Sequence, residues 1–231
     1  MPAKFQVVVP IINYDLIEDL LQSIAANTLI PEKIVIVDNS KIDPSLFNTH
    51  GLRIEVFKQR APLSVNPSWN LGLSKITDCD FVSILNDDII LPNKFFENLV
   101  KVFKVKTDAG VVCPWTVINT EEFKIKEGID RVIKMKRKEG WAWTIRKDLV
   151  DDIPPIHSDL QLFYGDDWFW WHTHKRKKVW VKDLNTIIYH AVGASCSKIP
   201  VLERTRQTRD EKFKWYALKR KMLDSGKYKN N

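Results

Sequence analysis

Short apolar runs closed by proline or by polar residues recur along the first half of the chain, and segments with helical periodicity separate them. Three such runs are FQVVVP (5–10), EKIVIVDNS (32–40) and DFVSILNDD (80–88). An uninterrupted apolar run of this length, closed by turn residues, indicates a strand that is buried on both faces. Strands of that kind belong to sheets covered by helices. The pattern therefore predicts an α/β fold with a mainly parallel sheet flanked by helices.

The helical segments fall where a parallel sheet needs its crossover connections. DLIEDLLQSIAANT (15–28) has leucine and isoleucine at helical spacing, and LPNKFFENLVKVFK (91–104) places phenylalanine, leucine and valine on one face. NPSWNLGLSKI (66–76) is predicted to begin a helix near its proline, since proline is tolerated in a first helical turn. RIEVF (53–57) and GVVCPW (110–115) are predicted to be further strands.

The second half of the chain has a less regular pattern. A Lys-rich connection occupies residues 124–140, and GWAWTIRKDLV (140–150) is predicted to be a strand followed by a turn. YGDDWFWWHTHKRKK (164–178) is predicted to be a helix. VWV (179–181) and TIIYH (186–190) are predicted to be two separate short strands.

Polar side chains collect at the predicted carboxyl ends of the strands, which is where ligands bind in open α/β sheets. They are Asp38, Asn39, Asn86, Asp87 and Asp88. No glycine-rich turn follows the first strand and the sequence contains no P-loop motif, so phosphate binding at a helix terminus is not indicated. Carboxylates can instead hold a cation that neutralises phosphate charge. We therefore expect a metal-assisted nucleotide site at the NDD run.

Seven segments occur in the order found in glycosyltransferase family 2. They are VVVPIINY, IVIVDNS, NPSWNLGLS, FVSILNDDIILP, GWAWTIRK, YGDDW and IIYHAVGAS. They extend from about Val7 to Ser195, which is most of the chain but not its basic tail. On these motifs the chain resembles that family. The resemblance implies a GT-A-like, Rossmann-like fold and an inverting, metal-dependent transfer of a sugar from a nucleotide-sugar donor, with a UDP-sugar favoured.

The resemblance implies that the donor binds at the amino-terminal motifs. Asp38 matches the position that hydrogen-bonds the nucleotide base or ribose, and a carboxylate suits this because it accepts from N–H and hydroxyl donors. Asn86 departs from a strict DxD motif, and its amide, a weaker metal ligand, can instead contact the ribose. The residues expected to bind the donor are Pro10, Asn13, Asp38, Asn39, Asn70, Asn86 and Asp87.

The same resemblance assigns a cation site. Asp88 matches the direct metal ligand of the DxD motif, and His190 matches a histidine that completes the site after the last core strand. Imidazole and carboxylate together suit manganese, and the expected cofactor is Mn²⁺ or Mg²⁺. The cation would stabilise the departing diphosphate. Without the resemblance, Asp88 could also belong to a solvated strand end, although three adjacent polar groups after FVSIL argue against this, and a lone histidine is more often a structural residue.

Asp166 and Asp167 match the acidic pair that deprotonates the acceptor in inverting members. The hydroxyl becomes nucleophilic only as its proton leaves, so a carboxylate is required there. Asp167 is the expected base, with Asp166 as the alternative. Both would also be favoured simply by lying in the first turn of a helix.

Tryptophans cluster on the expected acceptor side, and sugar rings and nucleobases both stack on aromatic faces. Trp141, Trp143 and Trp168 are the expected acceptor-binding residues, although most tryptophans pack in protein cores.

The basic character of the chain lies in its tail. The chain carries a net charge of +7, while residues 200–231 contain ten Lys or Arg and four Asp or Glu. We expect a GT-A-like domain over residues 1–199 and a basic helical extension over 200–231. The extension is either a solvated helix face or a contact with something anionic. A glycan or lipid-linked sugar is the expected acceptor. The alternatives are hydroxymethylated bases in DNA and a non-catalytic module that binds nucleotide sugar or nucleic acid.

Three cysteines, Cys79, Cys113 and Cys196, lie far apart and form no CxxC pair. This argues against a disulfide framework and for a reducing compartment. The first strand begins almost at once, without a signal-peptide pattern, and no apolar run has the length of a membrane span. The sequence therefore predicts a cytoplasmic protein with no transmembrane segment.

Overall fold

The computed structural model describes residues 3–12, 14–40, 48–191 and 200–225, and for Asp15 only the backbone. Among these residues, nine strands form one sheet, in the order β3-β2-β1-β4-β8-β6-β9-β5, with β7 pairing β9 at the side. The strands are β1 Phe5–Ile11, β2 Lys33–Asp38, β3 Ile54–Lys58, β4 Phe81–Leu85, β5 Ile89–Ile90, β6 Ala109–Val117, β7 Val132–Lys134, β8 Ala142–Arg146 and β9 Val179–His190. The helices are α1 Tyr14–Ala25, α2 Val65–Ser74, α3 Phe95–Val105, α4 Thr120–Ile125, α5 Lys147–Asp152, α6 Gly165–Lys175 and α7 Val201–Asp224.

The amino-terminal half of the sheet is parallel. β1 pairs in parallel with β2 and β4, and β2 pairs in parallel with β3. All of β2 and β4 and nearly all of β1 is buried, which confirms that their apolar runs are covered on both faces. Consequently β1, β2 and β4 end at one edge of the sheet, which brings the polar residues at the ends of β2 and β4 to that edge.

The other half of the sheet is mixed. β8 runs antiparallel to both β4 and β6, β6 and β9 are parallel, and β5 and β7 run antiparallel to β9. Reversal of β8 brings its amino end, not its carboxyl end, to the edge where β4 ends. The α/β class is therefore as predicted, with parallel pairing concentrated in the first half.

Two apolar cores lie on opposite faces of the sheet. α1 and α3 cover one face. The residues of α1 that are buried there have the helical spacing that predicted this helix: Ile17, Leu20, Leu21 and Ile24. α2, α5, α6 and α7 cover the other face, where tryptophans dominate. At Gly72 of α2, a Cβ would lie 2.2 Å from Cγ1 of Val8, so only glycine allows this helix to approach β1 so closely.

A bulge joins the two short strands predicted at VWV and TIIYH into one strand. The β6–β9 register shifts between Pro114 and Trp115. The Asp183 carboxylate stabilises the bulge by accepting from the Asn185 backbone N–H (3.0 Å) and the Thr186 hydroxyl (2.6 Å). The Asp183 carboxylate is thus satisfied within one continuous strand, Val179–His190, so the prediction of two strands is wrong.

The basic tail forms a helix, and one of its faces is buried. Glu211, Trp215 and Leu218 of α7 are at most 8% exposed, and the Trp215 ring centroid lies 6.1 Å from that of Trp168 on α6. α7 therefore contributes to the tryptophan-rich core. Whether residues 200–231 are a separate unit remains a prediction.

Cys79 and Cys113 are both buried, unbridged thiols; Cys196 lies outside the described residues. Among the helices that the structure describes, none has the length and apolarity needed to cross a bilayer.

Candidate active site

Strand pairing brings the predicted site residues to one edge of the sheet. β8 pairs with β4 so that Ala142 opposes Leu85, and the Asn86 backbone N–H donates to the Trp141 carbonyl at 2.8 Å. β5 pairs with the end of β9 so that Ile89 opposes His190. The residues just beyond β4, before β8 and at the end of β9 are therefore neighbours, although they are far apart in sequence.

Asp88 and His190 form the centre of this edge. They are 8% and 5% exposed, and Asp88 Oδ1 lies 3.1 Å from His190 Nε2. This close approach lacks hydrogen-bond geometry, because Asp88 Oδ1 has no hydrogen-bond partner among the described residues. The Ala191 N–H donates to the Asp88 carbonyl at 2.9 Å and fixes the two backbones together. Two buried groups thus converge without satisfying each other.

This arrangement fits a divalent cation. Two ligands that each lie about 2.1 Å from a six-coordinate cation are about 3 Å from each other, which is the separation of Asp88 Oδ1 and His190 Nε2. Among the described residues no group of three His, Cys, Asp or Glu side chains could hold an ion. Such a site would need further ligands from a substrate or water, which is usual for Mg²⁺ at phosphate-binding sites.

Asp38 lies at the end of β2 and is completely buried. Its carboxylate accepts from the Tyr14 hydroxyl (2.8 Å), the Lys58 ammonium (2.9 Å) and the Ser40 backbone N–H (2.7 Å). Burial by itself raises the pKa of Asp38, but the hydrogen bonds from Lys58, Ser40 and Tyr14 outweigh it, so the pKa lies below its ordinary value. Asp38 is thus an ionised group enclosed by protein donors.

Two asparagines predicted to bind the donor use their side chains inside the protein. The Asn39 amide accepts from the Leu63 N–H at 2.8 Å and donates to Ser68 Oγ at 3.1 Å. Asn70 lies within α2, where its amide pairs with both the N–H and the carbonyl of Ile156. Helical geometry places Asn70 on the face that anchors Ile156, and its role in donor binding stays a prediction.

The remaining donor-site predictions lie at the edge itself. Pro10 is half-buried near the end of β1, and Asp87 is 5% exposed with Oδ2 3.4 Å from the Ile12 N–H. Asn86 is half-buried at the end of β4. Asn13 lies outside the described residues.

Asp166 and Asp167 lie in the first turn of α6, and the residue before this helix has an unusual backbone conformation. Tyr164, immediately before the helix, has a left-handed φ of 65°, a conformation that costs a non-glycine residue energy and concentrates at functional sites. Gly165 follows, and a Cβ there would lie 2.1 Å from Asn66 Oδ1. The turn that carries both carboxylates is therefore tightly constrained.

The two carboxylates have different surroundings. Burial, and then repulsion by Asp167, raise the pKa of Asp166 to about 6. Asp167 instead forms an ion pair with Lys138, from the Lys-rich connection. The Asp166 carboxyl also lies beside Gly140, where a Cβ would be 3.6 Å from it. Gly140 precedes Trp141, whose ring stacks on His190. The Gly140–Trp141 segment therefore lies between the acidic pair and the Asp88–His190 pair.

Trp141 is the one predicted acceptor tryptophan that lies at the edge. Its ring stacks on His190 with centroids 5.3 Å apart, and its Nε1 donates to Thr116 Oγ1 at 2.8 Å. Trp143 is 0% exposed and packs on Trp69 and Trp180. Trp168 is 4% exposed, with its Nε1 donating to the Pro154 carbonyl. Both rings fill the core beneath the site, and a contact of Trp143 or Trp168 with the acceptor stays a prediction without support from their exposure.

Four side chains that sequence reasoning missed also build the site: Tyr14, Lys58, Asn66 and Lys138. Tyr14 and Lys58 surround Asp38, Asn66 holds the loop before Gly165, and Lys138 pairs with Asp167. Tyr14 and Asn66 had a sequence signal, since they belong to the VVVPIINY and NPSWNLGLS segments. Lys58 and Lys138 occupy positions without a motif, and only the folded structure brings them to Asp38 and Asp167.

Comparison with known proteins identifies the fold and one family. The family described as Glycosyl transferase family 2 matches residues 6–156. No curated protein sequence matches the chain significantly.

Solved structures resemble the chain in fold at low identity. GalNAc-T7 with UDP, GalNAc and Mn²⁺ gives a TM-score of 0.66 at 11% identity, covering 81% of this chain and 43% of that one. TarS 1–349 from S. aureus gives 0.65 at 15%, covering 82% and 61%. Its complex with UDP-GlcNAc gives 0.64 at 15%, covering 86% and 62%. The likeness confirms the GT-A-like fold, and the chain spans less than two thirds of each of these structures.

Proposed function

Because the chain belongs to glycosyl transferase family 2, we propose that it is a glycosyltransferase that moves a sugar from a nucleotide-sugar donor to an acceptor hydroxyl with inversion. The observation that carries this proposal is the meeting of two groups at one sheet edge. These are the converging Asp88–His190 pair and the acidic Asp166–Asp167 turn, joined through Gly140 and Trp141. The first can hold a diphosphate through a cation, and the second can accept a proton.

A UDP-sugar is the proposed donor. The solved structures of similar fold include one with UDP, GalNAc and Mn²⁺ and one in complex with UDP-GlcNAc. Because Asp38 is enclosed by its own donors, we propose that it acts by holding Tyr14 and Lys58 in place, and that these two side chains, with Pro10 and Asn86, meet the nucleotide.

Asp88 and His190 are proposed to hold Mn²⁺ or Mg²⁺, with Asp87 beside them. When bound, the cation supplies neutralisation of the charge that develops on the diphosphate leaving group. The Trp141 ring stacked on His190 covers one side of the imidazole. It thereby limits the orientations in which the imidazole can present Nε2.

Two carboxylates are candidates for the base. Asp167 is the proposed base by position, and its partner Lys138 would have to release it when the acceptor binds. Asp166 is the alternative, because a pKa of about 6 makes it a stronger proton acceptor that is still ionised at neutral pH. In either case the acceptor oxygen would attack the anomeric carbon from the side opposite the nucleotide.

A thermal-shift screen tests the donor site. We expect UDP with Mn²⁺ to raise the Tm, since a ligand at about 100 times its Kd stabilises a protein by about 2.7 kcal/mol. Asp88→Asn should fold and lose the metal-dependent part of that shift. Asp78→Asn, whose side chain is 92% exposed at the opposite edge of the sheet, is the matched control. No shift with UDP, GDP, dTDP or CMP, with or without metal, would contradict the proposal and favour a non-catalytic nucleic-acid-binding module.

We further propose that the acceptor is lipid-linked and is reached at an anionic membrane surface. The outer face of α7 repeats arginines and apolar residues at helical spacing: Leu202, Arg206, Arg209, Phe213, Tyr216, Arg220 and Leu223. Leu202, Phe213 and Tyr216 are 86%, 67% and 54% exposed. Exposed apolar side chains between arginines suit the headgroup region of a bilayer, whereas phosphate binding on DNA needs only the charges.

Cosedimentation with vesicles tests this surface. The wild type should bind vesicles containing phosphatidylserine, and Phe213→Ser and Arg209→Gln should each weaken binding. Lys101→Gln, at an exposed lysine of α3, is the control and should bind normally. Salt-sensitive binding to duplex DNA without binding to vesicles would instead support a DNA acceptor.

A further inference from the structure

The loop before the acidic turn is held by a side chain from the C-terminal helix. Glu211 of α7 is 6% exposed. Its carboxylate accepts from three consecutive backbone N–H groups, those of Gln161 (3.1 Å), Leu162 (3.0 Å) and Phe163 (2.9 Å). Converging N–H groups of this kind form a concave anion site. Here the anion is part of the protein itself, about 50 positions later in the chain.

The opposite side of the same loop is held by α2. The Asn66 backbone N–H donates to the Gln161 carbonyl at 2.9 Å, and its side-chain Nδ2 donates to the Phe163 carbonyl at 2.8 Å. The N–H groups of residues 161–163 are thus taken by α7, and two of their carbonyls by α2. The loop is fixed on both sides.

This fixed loop leads directly into the strained part of the chain. Tyr164 has its left-handed φ of 65° one residue later, and Gly165 lies so close to Asn66 that no side chain fits. A strained conformation persists only where the surroundings impose it. The two residues that follow are Asp166 and Asp167, so any relaxation of the loop would displace their carboxylates.

We infer that Glu211 is a positioning residue for the acidic pair. By binding the N–H groups of residues 161–163 it holds the loop against Asn66 and maintains the left-handed turn that presents Asp166 and Asp167. In this role Glu211 does not contact the substrate. The inference rests on the proposed glycosyl transfer. α7 is accordingly a part of the active-site scaffold.

Steady-state kinetics, measured with the nucleotide sugar that the wild-type protein uses as donor, test the inference. Glu211→Ala should lower kcat about 10- to 100-fold, since small displacements of catalytic groups have effects of that order, and leave KM for the donor unchanged. Glu211→Gln, which retains one acceptor oxygen, should recover part of the rate. Asp210→Asn, on the same helix with a side chain 55% exposed, is the matched control and should behave as wild type.

Hydrogen exchange separates this inference from the proposed function. The amides of residues 161–163 should exchange faster in Glu211→Ala than in the wild type, while amides of β1 and β4 keep their protection. Unchanged exchange at 161–163, or faster exchange with an unaltered kcat, would overturn the inference. A wild type that turns over no nucleotide sugar would refute the proposed function instead, and exchange would still show whether Glu211 holds the loop.

Discussion

At the scale of single residues, the acidic pair shows how neighbours determine chemistry. Asp166 and Asp167 are identical in type and adjacent in sequence, yet burial raises the pKa of Asp166 to about 6 while Lys138 pairs with Asp167. Neither effect could be read from the YGDDW motif. The motif indicated where a base lies, and the packing around it distinguishes the two carboxylates.

A buried carboxylate with a raised pKa destabilises the folded state once it ionises. For a change from 3.8 to about 6, the full cost is roughly 3 kcal/mol, and partial access to solvent reduces it to roughly 1–2 kcal/mol. Asp166→Asn removes this cost. We therefore expect the variant to be more stable than the wild type at pH 8, as measured by denaturant unfolding.

The sign of the pH dependence is specific to this residue. Below about pH 4 the carboxyl is protonated in both the folded and the unfolded chain, so variant and wild type should have similar stabilities. Between about pH 4 and pH 6 the unfolded chain has lost this proton while the folded wild type keeps it, so the wild type loses stability relative to the variant, and the loss is complete above about pH 6. A stability difference that is constant from pH 4 to pH 8 would contradict the raised pKa.

Turnover by Asp166→Asn and Asp167→Asn at pH 7 would identify the base, whose removal costs about 10²- to 10⁴-fold in kcat.

At the scale of secondary structure elements, α7 shows the limits of reading a segment by composition. Its charge predicted a solvated or anion-binding extension, and its outer face agrees with that. Its inner face carries Trp215, which packs on Trp168 and Trp171, and Glu211, which holds the loop before α6. One helix therefore has a buried face that packs on the core and an exposed basic face.

The two faces of α7 should respond differently to truncation. Trp215→Ala should lower the free energy of unfolding by roughly 3–5 kcal/mol, because it empties a buried aromatic site. Phe213→Ala, two residues away and 67% exposed, should change it by less than about 0.5 kcal/mol. Denaturant unfolding measures both variants. Equal, small losses would show that α7 contributes little to the core and would support the predicted division at residue 200.

At the scale of the whole molecule, the site is a consequence of sheet topology. Asp38, Asp88, Trp141 and His190 come from four distant segments and lie along one edge, because β2, β4 and β9 end at the edge where β8 begins. The parallel half of the sheet was predictable, because strands buried on both faces have continuous apolar runs. The mixed half was not, because nothing local in GWAWTIRK indicates that β8 runs in reverse between β4 and β6.

One can predict from the chain alone the α/β class, most of the helices and strands, the family and the strand-end location of the NDD run. These follow from periodicity and from motifs, which are local properties of the chain. Tertiary contacts were needed to show that Trp143 and Trp168 are core residues, that Asn70 anchors a loop, and that Glu211 binds the loop before the acidic turn. Burial, pKa and hydrogen-bond partners depend on groups that are remote in sequence, so they exist only once the chain has folded.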